Sequence, residues 1–159
     1  MTPKTTSLPL SQTLKSLGVK QESYFQWRID YVGKIETVSL VSNENYETKG
    51  DDGNGQVAGS YLIAAFTSDE LGEMLPVDLE DDATLEKYKG ALFLNITKPY
   101  EIGTDGEYID EEADLMFGKW ITSYSNGNGS ILRGGDTMVE SMGKMLAHLL
   151  SSGIIKVTK

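Results

Sequence analysis

From Ser23 the chain alternates: Phe25, Trp27, Ile29 and Tyr31 fall on one side, Gln26, Arg28 and Asp30 on the other. Successive side chains of a strand point to opposite faces, so this run reads as a half-buried strand with its aromatic face inward. Further strands are expected from Lys34 to Ser42 after a turn at Gly33, and from Val57 to Phe66. Leu85–Lys89 and Ala91–Thr97 read as two more, turning near Gly90. Asn126-Gly127-Asn128-Gly129 is a hairpin signal between Lys119–Tyr124 and Ser130–Arg133. Ile154, Ile155 and Val157 suggest a closing strand.

Helical spacing appears in three places. Leu10, Leu14 and Leu17 follow Ser7 at i, i+4 and i+7, with Pro9 in the first turn and Gly18 at the exit. Thr67 to Glu70 is a capping box that opens a short helix carrying Leu71, Met74 and Leu75, which Pro76 ends. Thr137 to Glu140 is a second, and behind it Met138, Met142, Met145, Leu146 and Leu149 share a face. Helices flanking a run of hairpin-connected strands predict an α+β fold, an antiparallel sheet with two or three helices on one face. No repeat or linker divides the 159 residues, so one domain is expected, with residues 1–6 fraying for want of an apolar anchor.

The chain has no cysteine, which removes disulfides, zinc-thiolate sites and thiol nucleophiles. No secretory signal is read at the N-terminus, and the longest apolar runs fall far short of the roughly 20 residues of a membrane span. A cytoplasmic protein is therefore expected. The net charge is −10, and it is unevenly spread. Asp69–Asp82 and Glu101–Asp114 each carry seven carboxylates and no Lys or Arg, together more than half of the 24 acidic residues. Such windows repel phosphate backbones, so direct nucleic-acid binding is not expected. They read as solvated loops, or as an acidic surface for a basic protein, with Asp110, Glu111, Glu112 and Asp114 as its candidate residues.

Catalytic constellations are scarce. His148 is the only histidine and falls on the polar side of the last helix with Ser141 and Lys144, where it should face solvent. One histidine builds neither a buried triad nor a histidine-based zinc site. Asp51-Asp52-Gly53-Asn54-Gly55 resembles a calcium loop, but its twelfth position is Leu62 and its flanks read as strands, so a flexible turn is favoured. Arg133-Gly134-Gly135 before the last helix is a weak anion signal, with Asp136 beside it. Among the aromatics, Tyr24 has the opposite phase to Phe25 and Trp27. It is expected on the outer face beside Arg28, as a candidate interface anchor. No metal, cofactor or catalytic residue is assigned.

Three pieces carry a family resemblance. They are Leu10–Trp27 with its Leu17-Gly18-Val19-Lys20-Gln21-Glu22-Ser23 core, Ala65–Pro76 with Glu70-Leu71-Gly72-Glu73-Met74-Leu75, and Leu149–Ile155. In this order they resemble a family of small acidic phage and prophage proteins that brings no established activity or catalytic residues. The chain departs from that pattern in longer acidic loops, Asn43–Gly55 and Tyr100–Asp114. The resemblance implies a cytoplasmic accessory protein of an infected or lysogenic bacterium. The expected function is non-catalytic binding of a host or phage protein, as an inhibitor in one form. The alternatives are a small carboxylate- or metal-dependent enzyme and a virion-associated structural protein.

Overall fold

The computed structural model describes residues 5–32, 35–42, 59–80, 87–97 and 120–157. Among these the chain order is α1 (Leu8–Ser16), β1 (Phe25–Val32), β2 (Ile35–Ser42), β3 (Gly59–Ala65), α2 (Ser68–Met74), β4 (Asp78–Leu79), β5 (Leu92–Thr97), β6 (Trp120–Ser125), β7 (Ser130–Gly135) and α3 (Met138–Ser151). The class is α+β, and the strands divide between two antiparallel sheets, ordered β2-β1-β3 and β4-β5-β6-β7. Among the described residues no helix is long and apolar enough to cross a membrane.

α3 organises the interior because it is buried on more than its methionine–leucine stripe. It packs on β6 and β7 as well as on α1 and α2. Val139, Met142, Met145, Leu146 and Leu149 are all buried, and each such side chain contributes about 1.5–3 kcal/mol by leaving water. Ser141, expected on the polar side, is buried too, its hydroxyl 2.8 Å from that of Thr122 on β6. Sheet and helix are thus joined by a satisfied polar pair within an apolar contact.

The two capping boxes differ. At α2, Thr67 accepts from the Glu70 amide and Glu70 reaches back to the Thr67 N–H at 2.7 Å, as the sequence signature requires. At α3, Thr137 accepts from the Glu140 amide, but Glu140 sends its carboxylate to the N–H of Ser7, also at 2.7 Å. The second box is therefore half a box, and its spare oxygen fastens α1 to α3. Ser7 makes no side-chain cap on its own helix.

The expectation of a frayed start fails at Thr5 and Thr6. Thr5 pairs with Thr67, and Thr6 is fully buried, its N–H donating to the Phe66 carbonyl at 2.8 Å. The strand expected over Leu85–Lys89 is not formed, since Lys87 and Tyr88 are helical. Lys89 and Gly90 then take positive φ values of 53° and 145°, and Asn126 Nδ2 binds the Tyr88 and Gly90 carbonyls at 3.1 and 3.2 Å. Nor do Ile154 and Ile155 form a strand. After the left-handed Gly153 (φ 73°) both amides return to the Leu149 carbonyl, which folds the isoleucines against the core.

β7 must end tightly against the start of α3, and that closeness dictates a glycine. A Cβ at Gly135 would run into the Ser141 amide nitrogen and the Glu140 carbonyl carbon, which are backbone atoms and cannot swing aside. Gly127, at the hairpin tip, has nothing within 4 Å of the same position. In urea melts Gly135→Ala should therefore lose about 1–3 kcal/mol to overpacking. Gly127→Ala should stay within about 0.5 kcal/mol of the parent. Equal midpoints for the two variants would contradict the close β7–α3 junction.

Candidate functional site at the open end of the first sheet

In an antiparallel pair, residues directly opposite one another share a face. The register of the first sheet therefore lays Phe25, Trp27, Ile29 and Tyr31 of β1 on the same face as Ser42, Leu40, Val38 and Glu36 of β2. From β3 it adds Ala65, Ile63 and Tyr61. At the Phe25 end this face is covered. The Trp27 indole donates to the Thr6 carbonyl at 2.9 Å, and Ile63 and Ala65 are buried.

The other end is open. Ile29 is fully buried, yet its two register neighbours, Val38 and Tyr61, are each 41% exposed, and Tyr31 is 36% exposed. The rings of Tyr31 and Tyr61 stack with centroids 6.0 Å apart at 18°, and their hydroxyls lie 3.5 Å apart. Lys15, in the last turn of α1, holds its ammonium 6.0 Å from the centroid of the Tyr61 ring. The Tyr61 hydroxyl, loss of solvation and the Glu36 carboxylate, in that order, push the Tyr31 phenol up to about 12. Tyr31 is on the face that the alternation expected to be core. It is nevertheless 36% exposed, whereas Ile63 and Ala65 at the Phe25 end are buried.

The residues singled out in the sequence fall elsewhere. Tyr24 precedes β1 and is 46% exposed, its ring edge-on to Phe25 at 4.8 Å and its N–H donating to Glu70 at 2.9 Å. Arg28 lies on the opposite face of β1 from Tyr31 and pairs its Nε with Asp30 at 2.8 Å. Asp110, Glu111, Glu112 and Asp114, the Asp51–Gly55 loop and the loop from Asn43 lie outside the described residues.

Within the other acidic window, Glu70 is structural. Partial burial pushes its carboxyl up, but hydrogen bonds from the Thr67 and Tyr24 amides and the Ser23 and Thr67 hydroxyls outweigh this and hold it below the usual range. Glu70 thereby ties the start of β1 to the start of α2.

His148 is half-buried, which corrects the expected solvent-facing position. Burial first, then Arg133 and Lys87, push its pKa down. Nearby on β7, Arg133 Nη1 donates to the Leu132 carbonyl at 2.5 Å and Lys144 Nζ to that of Gly134 at 3.3 Å. These cations serve backbone oxygens of the last strand. A groove of about 240 Å³ lies between α2, α3 and the chain after α3, lined by Met74, Leu146, Leu150 and Ile155 together with Lys20, Glu73 and Lys156. That is below the roughly 300–1,000 Å³ of most small-molecule sites. Among the described residues no three His, Asp or Glu side chains gather as a metal site would require.

Compared with known proteins, the chain matches no family model, no curated protein and no solved structure.

The tyrosine corner has a direct optical test. Ultraviolet pH titration of the parent minus Tyr31→Phe should show one phenol ionising near pH 12, where the Tyr31 value lies. Glu36→Gln removes a carboxylate that disfavours the phenolate, so the same difference should move to lower pH. A Tyr31 phenol that titrates near 10 in the parent would mean that the two tyrosines and Glu36 do not meet.

Proposed function

We propose that this chain is a non-catalytic accessory protein that binds a protein partner through the open end of its first sheet. The observation that carries the reading is the ridge of Val38, Tyr31 and Tyr61 standing exposed around a fully buried Ile29. Tyrosine gives a large contact area with only two side-chain torsions to fix, and its hydroxyl tolerates water when the surface is unoccupied. Tyrosine, with tryptophan and arginine, is also enriched among the few residues that carry most of the binding energy at protein interfaces. The phage or prophage setting, a cytoplasmic location in the host and an inhibitory outcome extend this reading, on the strength of the sequence resemblance and the acidic charge.

A photo-crosslinking residue at Tyr61, compared with one at the hairpin tip Asn128, tests it in the cells that make the protein. One discrete adduct should form from position 61 and be absent from position 128. With that partner purified, Tyr31→Ser/Tyr61→Ser should weaken binding by at least about 30-fold, the size of a two-residue hot spot, with an unchanged melt. Adducts of equal yield from both positions, or an affinity the double substitution leaves alone, would exclude this surface.

A further inference from the structure

The tyrosine corner has a chemical preference, and the molecule already displays it. Tyr61 carries an ammonium, that of Lys15, 6.0 Å from its ring centroid, at the outer limit of a cation–π contact. Tyr31, stacked on Tyr61, lies directly opposite Glu36, an exposed carboxylate on the same face. Two nearly parallel aromatic faces and one carboxylate form a set of groups that favours a cation on every side. The charge of −10 adds a long-range field of the same sign.

Resting on the reading of this surface as a protein interface, we propose that the Tyr31–Tyr61–Glu36 corner receives an arginine side chain from a basic segment of the partner. In the free protein Lys15 lies beside one member of the corner, at 6.0 Å from the Tyr61 ring centroid. A guanidinium suits the corner better than the resident ammonium does. Its plane stacks on a tyrosine face while its fork of N–H donors reaches a carboxylate, whereas a lysine head is a compact, strongly hydrated point charge. Lys15 is exposed and touches Tyr61 only at the limit of range, so an incoming arginine displaces it at little cost. Binding and release of Lys15 are then a single exchange of one cation for another.

The probe is a short, otherwise neutral peptide bearing two arginines, titrated into isotope-labelled protein and followed by NMR. Its counterparts carry citrulline, which keeps the shape and loses the charge, or lysine. Shifts should centre on Tyr31, Glu36, Val38 and Tyr61. Affinity should drop about fivefold for citrulline, for Tyr61→Leu and for Glu36→Gln, the size of an exposed cation–π contact or ion pair. Lys15→Met should tighten binding about two- to threefold, the low end for an exposed cation–π contact, because Lys15 lies at the limit of range. Lys20→Met, which removes the same charge from a residue paired with Glu22 at 2.8 Å, should not.

Lysine binding as tightly as arginine, citrulline matching arginine, or an absence of shifts at Tyr31 and Tyr61 with millimolar peptide would each overturn the proposal. So would equal effects of the two lysine substitutions. A crosslinked partner that still depends on Tyr31 and Tyr61 in that event would leave the interface standing and remove only its preference for arginine.

Discussion

Thr6 is the residue on which the rest of the molecule turns. Its N–H donates to the Phe66 carbonyl at 2.8 Å, and its hydroxyl accepts from the Phe66 N–H at 3.0 Å and lies 2.8 Å from that of Ser11. Its carbonyl takes the Trp27 indole N–H at 2.9 Å. Every polar atom of a fully buried threonine is satisfied, where leaving one unpaired costs about 1–3 kcal/mol. This one residue therefore fixes where α1 begins, against the end of β3 and above Trp27. The helix that starts there runs from Thr6 toward Lys15, whose ammonium lies 6.0 Å from the Tyr61 ring centroid, while Tyr31, Tyr61 and Val38 stay exposed.

Carboxylates and amides act as clasps throughout this acidic chain. Glu70 collects the start of β1 and the start of α2, Glu140 holds the amide of Ser7, and Asn126 holds two carbonyls near Gly90. Each joins segments far apart in sequence, and each sits at a helix or strand end where backbone groups lack partners of their own. Acidity therefore has two roles here. Glu70 and Glu140 are spent on structure, while Glu36 remains exposed beside an aromatic pair.

The local part of the fold was legible. Strict alternation gave β1, the Asn-Gly repeat gave the β6–β7 hairpin, and the T-x-x-E signature gave α2, because each depends on groups within a few residues. What could not be read depends on distance. Thr6 looks like part of a polar tail until Phe66 and Trp27 are brought to it. Glu140 looks like a capping residue until Ser7 arrives. Lys87 and Tyr88 read as strand until Asn126 fixes the turn behind them. The candidate site was missed for the same reason: alternation assigns Tyr31 a face and says nothing about how far along that face burial extends. Tyr24 and Arg28 stood out by phase, and phase alone did not separate them from the exposed pair Tyr31 and Tyr61.

Amide hydrogen exchange at Thr6 tests this account most directly, with Phe66 as the internal reference. If Thr6 is locked between β3 and Trp27, both amides should exchange only through global unfolding and respond equally to added urea. A Thr6 amide that exchanges at the rate of a free terminus while Phe66 stays protected would contradict it. The first helix would then lack its anchor to β3 and Trp27.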